Sequence, residues 1–167
     1  KLMKNSHYFL IFCATRCINF AMMKHINSIS QINLDRDREM LRLYRKAREV
    51  ADYPTTSAKL CEIVSTLPTS CYYISDTSAA RYVSNRLKGK IPKFGAAFDK
   101  KRQLYEAFYI DFLEVRQREG NQQKCISQLV DITLMRPAPC LGLSSRSIRQ
   151  KISAHINKTK RTFFLAK

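Results

Sequence analysis

From Asp35 to about Ala51 the apolar residues Met40, Leu41, Leu43, Tyr44, Ala47 and Val50 return every three or four positions, with arginines and acids between them. That period predicts an amphipathic helix with one face turned to a core. Asp35, Asp37 and Glu39 near its start and Arg45, Lys46 and Arg48 further on follow the order the helix dipole favours. Pro54 closes the segment. Thr55 or Thr56 can cap a second helix that carries Leu60, Ile63 and Val64 inward and stops near Leu67, ahead of Pro68. Thr69 to Ile74, with adjacent Tyr72 and Tyr73, reads as an extended connector docked on the core. A third helix starts at Ser75 or Asp76, buries Ala79, Val83 and Leu87, and ends at Gly89.

The plan then returns. Phe98 to about Arg118, Gln122 to Met135, a Pro137-Ala138-Pro139 connector and Ser144 to about Asn157 repeat the same order, with Ile148, Ile152 and Ile156 as the last buried stripe. At a constant offset of 69, Leu60 falls on Leu129, Ile63 on Ile132, Pro68 on Pro137, Cys71 on Cys140, Ser75 on Ser144 and Ser78 on Ser147. Internal similarity at a fixed spacing points to a duplicated helical unit. The expected fold is all-α: two tandem three-helix units, over 35–90 and 98–158, joined by a linker at 91–97 and packed into one compact six-helix domain. A unit of about 55 residues buries only about 60% of the surface of its unfolded chain, so the two are expected to lean on each other. Residues 1–34 read as an N-terminal extension largely outside the fold and 159–167 as a basic tail. Strand content should be negligible, at most a short pairing of the extended connectors.

Charge changes the picture. Thirty Lys and Arg stand against thirteen Asp and Glu, a formal net charge of +17. Such an excess favours polyanions through long-range attraction and counterion release. Residues 35–90 carry 11 basic and 7 acidic side chains and residues 104–158 carry 8 and 5, so most of the excess lies outside these two stretches.

Six cysteines at 13, 17, 61, 71, 125 and 140 form no C-x-x-C pair, and His7, His25 and His155 are scattered, so no metal site has ligand spacing. The thiols read as reduced and mostly buried, in a cytoplasmic protein. The apolar run at 8–15 is too short to span a membrane and Arg16 interrupts it. Met22 and Met23 precede a polar run, which reads as a natural start with residues 1–22 upstream of it. Glycines at 89, 95, 120 and 142 make no phosphate-cradling loop. Three scattered histidines offer no nucleophile-and-base arrangement with a serine or cysteine, so catalysis is not expected, and neither is a cofactor, a metal, a small-molecule substrate or a membrane partner.

Recognition remains. Three successive helices with an amphipathic third are helix-turn-helix-like, although about seven residues separate Leu67 from Ser75 where that motif uses three or four. The exposed face of the last helix offers Arg146, Arg149, Gln150 and Ser153; its counterpart offers Arg81, Asn85, Arg86 and Lys88; Lys100, Lys101 and Arg102 add a basic cluster. These side chains suit phosphates and base edges. Ile26-Asn27-Ser28-Ile29, Gln31-Ile32-Asn33, Asp35-Arg36-Asp37-Arg38-Glu39 and Pro137-Ala138-Pro139 together resemble small uncharacterised bacterial proteins built from two similar three-helix repeats, over about residues 23–158. The resemblance implies the duplication and the Met23 start, and no activity or catalytic residue. The expectation is a small, non-catalytic accessory or regulatory protein that binds nucleic acid, double-stranded DNA first. The alternative is a protein-interaction or homodimerisation module with an exposed patch at Tyr72, Tyr73, Phe94 and Leu141.

Overall fold

The period of three to four builds helices throughout, and a computed structural model of the protein describes residues 29–51 and 55–165, with side chains through Lys158. The apolar run at 8–15, the Met23 start and Pro54 lie outside the described residues. Helix α1 (Ile29–Val50) begins six residues ahead of Asp35, because no glycine or proline precedes Pro54 to stop it. Residues 29–34 therefore belong to the fold and not to an extension. Near-neighbour polar pairs support the helix: Arg38 meets Asp35 at 2.9 Å, and Arg42 donates from Nε and Nη2 to both oxygens of Glu39 at 2.7 Å. That second pair matters because Glu39 is 5% exposed, and an unpaired carboxylate there would be costly.

Helix α2 (Ser57–Thr66) is capped by the Thr56 hydroxyl, which accepts the Lys59 N–H at 3.3 Å. Helix α3 (Asp76–Leu87) is capped the same way by Ser75, which accepts from Ser78, and ends at Gly89 with φ +73°. A 3₁₀ turn (Ala96–Phe98) leads into helix α4 (Asp99–Gln117). Helix α5 (Ile126–Leu134) starts four residues later than the periodicity suggests. A turn through Gly120, at φ +79°, occupies that stretch, and Asn121 donates its side-chain amide to the Val115 carbonyl at 2.8 Å. Helix α6 (Ser145–Leu165) runs on through most of the expected basic tail, since no glycine or proline follows Gly142.

The packing does not follow chain order. Helices α1 and α2 pack on α6, while α3 packs on α4 and α5 and does not approach α1 or α2. One core joins Met40, Leu43, Leu60, Cys61 and Val64 to Leu141, Ile148 and Ile152. The other joins Ala79, Tyr82 and Val83 to Phe108, Phe112, Val115, Leu129 and Val130. In place of the expected grouping of three consecutive helices, helix-turn-helix-like, the α1–α2 pair covers α6 and the α4–α5 pair covers α3. The connectors, nine residues from Leu67 to Ser75 and ten from Met135 to Ser144, reach across where a tight turn would fold each helix back on the pair before it.

The connectors meet at the crossover. Thr69 donates its N–H to the Ala138 carbonyl at 2.8 Å and Ala138 donates back to Thr69 at 3.1 Å, one isolated antiparallel bridge between buried residues. The two are 69 positions apart. Tyr72 adds an N–H bond to the Leu134 carbonyl at 3.0 Å. These bonds satisfy backbone groups that burial would otherwise leave without water.

Several predicted core positions lie at the edges instead. Leu87 and Ile156 are 38% and 44% exposed, because α2 and α5, at 10 and 9 residues, are too short to cover the far ends of α6 and α3. Ile63 and Ile132 stay at the rim, where neighbouring Leu60 and Val64, or Leu129 and Thr133, fill the contact. Among the described residues no helix is long and apolar enough to cross a membrane.

Candidate nucleic-acid interface

Helix α6 is held by one face. Ile148 and Ile152 are buried in the first core, and Lys151 reaches Asp37 of α1 at 2.7 Å. On the side away from the core the 3.6-residue period leaves Arg146, Arg149, Gln150 and Ser153 exposed. Ser145, Arg146, Arg149 and Gln150 line a shallow depression together with Ala58 of α2. No side-chain hydrogen bond or ion pair to another described residue holds Arg146, Arg149 or Gln150, whereas Arg38, Arg42, Arg86, Arg102 and Arg136 each meet a carboxylate. Two guanidinium groups and a primary amide are thus presented side by side on a rigid helix. The Cys61 thiol beneath is pushed up by burial, opposed by the Ser57 hydroxyl and by Arg149.

The equivalent surface of α3 is different. Arg81 and Lys88 are exposed and Asn85 is half-buried. Arg86 bonds Glu106 of α4 at 3.1 Å and lies 4.9 Å over the Tyr109 ring, so it ties α3 to α4. Tyr82 donates to the same Glu106 at 2.7 Å. Burial first, then the Glu106 carboxylate, holds the Tyr82 phenol well above its ordinary range, so it remains a donor.

Lys100, Lys101 and Arg102 sit in the first turn of α4. Arg102 pairs with Asp99, Lys100 donates to Gln103 at 3.4 Å, and Lys101 stands 5.9 Å over the Tyr105 ring. None of them lines the α6 depression; Lys100 and Lys101 line a separate cavity. The structure therefore brings Arg146, Arg149 and Gln150 together and leaves the α3 and α4 residues apart from them.

Ala58 was not among the sequence candidates. It reaches the depression only because α2 packs on α6, and no periodicity along one segment encodes that. The proposed protein-docking patch is not on the surface: Tyr72 and Leu141 are buried in different cores, Phe94 packs against one and Tyr73 against the other. Among the described residues no group of histidine, cysteine and carboxylate side chains is placed to hold a metal. No protein-family model, curated protein sequence or solved structure matches the chain.

Proposed function

We propose that the protein binds nucleic acid, double-stranded DNA first, in a non-catalytic accessory role, with the outer face of α6 as its contact surface. The observation that carries this reading is the exposed Arg146, Arg149 and Gln150 set, free of carboxylate partners, on a helix anchored from behind. Arginine forks suit phosphate and guanine edges and a primary amide suits adenine. The net charge of +17 supplies the long-range attraction.

Electrophoretic shift of a duplex, titrated with salt, tests it. Arg146→Ala with Arg149→Ala should weaken binding and reduce the slope of log affinity against log salt by about 1 for each phosphate that is no longer neutralised. An unchanged slope would place the binding surface elsewhere.

The reading extends to origin. The chain is a duplicated three-helix unit with exchanged third helices, in keeping with the two-repeat bacterial proteins it resembles. Supporting this, the bridge joins Thr69 to Ala138. The polar ties Lys151–Asp37 and Tyr82–Glu106, both 2.7 Å, correspond to each other at the same offset, Lys151 falling on Tyr82 and Glu106 on Asp37. A cytoplasmic setting follows from a DNA-binding role.

A further inference from the structure

The second cavity lies where the two connectors, the N-termini of α3 and α6, and the starts of α1 and α4 meet, with a volume of about 370 Å³. That is within the usual range for a small-molecule site. It sits across the junction of the two halves, for seven pairs of its lining residues are 69 positions apart, among them Ser75 with Ser144, Ser78 with Ser147 and Arg36 with Tyr105.

Its chemistry is one-sided. Arg36, Lys100 and Lys101 line it, and among the described residues no aspartate or glutamate does. None of the three forms an ion pair with a described carboxylate, in contrast to six other basic residues that do. The guanidinium of Arg36 is oriented through Nη2, which donates to Asn33 at 2.8 Å, while its Nε is buried without a hydrogen-bond partner among the described residues. A buried N–H with nothing to donate to is costly, so the packing around Arg36 holds its guanidinium at the cavity wall at the expense of that N–H.

Two pairs of hydroxyls face the same space. Ser75 and Ser78 are 2.8 Å apart, Ser144 and Ser147 2.9 Å, each pair at the positive end of a helix. Gly142, at φ +67°, lets its connector lie against α4, since a Cβ there would stand 2.6 Å from Leu104. The walls are apolar and aromatic: Phe98, 56% exposed, and Tyr105.

We propose that this cavity binds the phosphate group of a small organic phosphate between Arg36, Lys100 and the serine pairs, with the ligand's aromatic or apolar part against Phe98 and Tyr105. The site is independent of the α6 face. A bound ligand would contact both halves and so hold the junction together.

Calorimetric titration of the full chain with phenyl phosphate tests this. Binding is expected with a Kd of about 1 mM or tighter, with no binding of phenol and weaker binding of inorganic phosphate. Arg36→Gln should weaken it about tenfold or more. So should Ser78→Glu, which keeps the fold, because glutamate three residues after a serine N-cap forms a capping box while placing a carboxylate in the cavity. Arg146→Ala with Arg149→Ala should leave it unchanged. Absence of phenyl phosphate binding, equal binding of phenol, or unchanged affinity in Arg36→Gln and Ser78→Glu would overturn the proposal.

Discussion

The two cores have the same plan and different materials. That of α1, α2 and α6 is aliphatic, with Met40, Leu43, Leu60, Val64, Ile148 and Ile152 at its centre; among the described residues its aromatics, Tyr44 and Tyr73, are only partly buried at its edge. That of α3, α4 and α5 is aromatic: Phe108 and Phe112 are fully buried, Tyr72 meets Phe108 edge-on at 5.2 Å, and Tyr82 meets Tyr105 at 4.9 Å. It is also tied by polar links, from Tyr72 to Asp111 and Tyr82 to Glu106 at 2.7 Å and from Arg136 to Glu114 at 2.9 Å. The aromatic half ties Arg86, Arg136, Tyr72 and Tyr82 to carboxylates of α4. The aliphatic half leaves the arginines of its third helix turned outward, so one scaffold holds a reinforced half and a presenting half.

The largest test of that contrast is a truncation at matched positions. Phe112→Ala should destabilise the protein by about 3–5 kcal/mol and Leu43→Ala, the residue 69 positions earlier, by about 2–3 kcal/mol, read by denaturant unfolding. Equal destabilisation would erase the difference between the cores.

Alkaline pH should act on both halves, since burial also raises the phenol of Tyr73, which packs against the aliphatic core, but three of the four raised phenols belong to the aromatic half. Burial, followed for Tyr72 and Tyr82 by a bonded carboxylate, raises the phenol pKa values of Tyr72, Tyr82 and Tyr105 in the folded protein. Their contribution is complete below the unfolded phenol value of about 10 and is lost as pH rises above it, because the unfolded chain then releases protons that the folded chain keeps. Thermal melts from pH 9 to 11, about the ordinary phenol range, should show falling stability, less steep in Tyr82→Phe. A parallel fall in that variant would mean that Tyr82 has no part in it.

The matched polar ties come next. Tyr82→Phe should cost about 1 kcal/mol, since it removes a donor from a half-buried carboxylate, and Lys151→Ala about 0.5 kcal/mol, because its pair is about one-third exposed. A larger effect for Lys151→Ala would make the presenting half the more strongly tied one. The smallest effect belongs to Arg86→Ala: less than about 1 kcal/mol of stability and no change in duplex affinity, which would separate it from Arg146 and Arg149. A weakening of duplex binding equal to that of the α6 variant would return α3 to the binding surface.

Much of the secondary structure could be read from spacing. Thr56 and Ser75 cap their helices, Gly89 ends one with a positive φ, and the connectors pair only once, at Thr69 and Ala138. Periodicity reports which face of a helix is apolar, and it is silent on which helix covers it. For that reason Ile148 was readable as buried, while its packing in the core of Leu60 and Val64 was not. Helices run past the bounds that periodicity predicts where no breaker exists, at Ile29 and beyond Asn157. At the candidate surface, the exposure of Arg146 and Arg149 followed from their position opposite Ile148 and Ile152. The ion pair that occupies Arg86 depends on α3 crossing to α4, a meeting of segments with no local signature.

The covering of α1 and α2 by α6, the last helix in the chain, sets an order on synthesis. A ribosome adding about 5–20 residues per second delivers the aromatic half's three helices, α3 to α5, consecutively, and they can close as soon as Leu134 is out. Helices α1 and α2 are made first, yet their covering helix starts only at Ser145, some 79 residues after Thr66. The nascent chain therefore carries an uncovered aliphatic surface for about 4–16 s. Over that interval Met40, Leu43, Leu60 and Val64 are exposed to chaperones, and the first half to be translated is the last to fold.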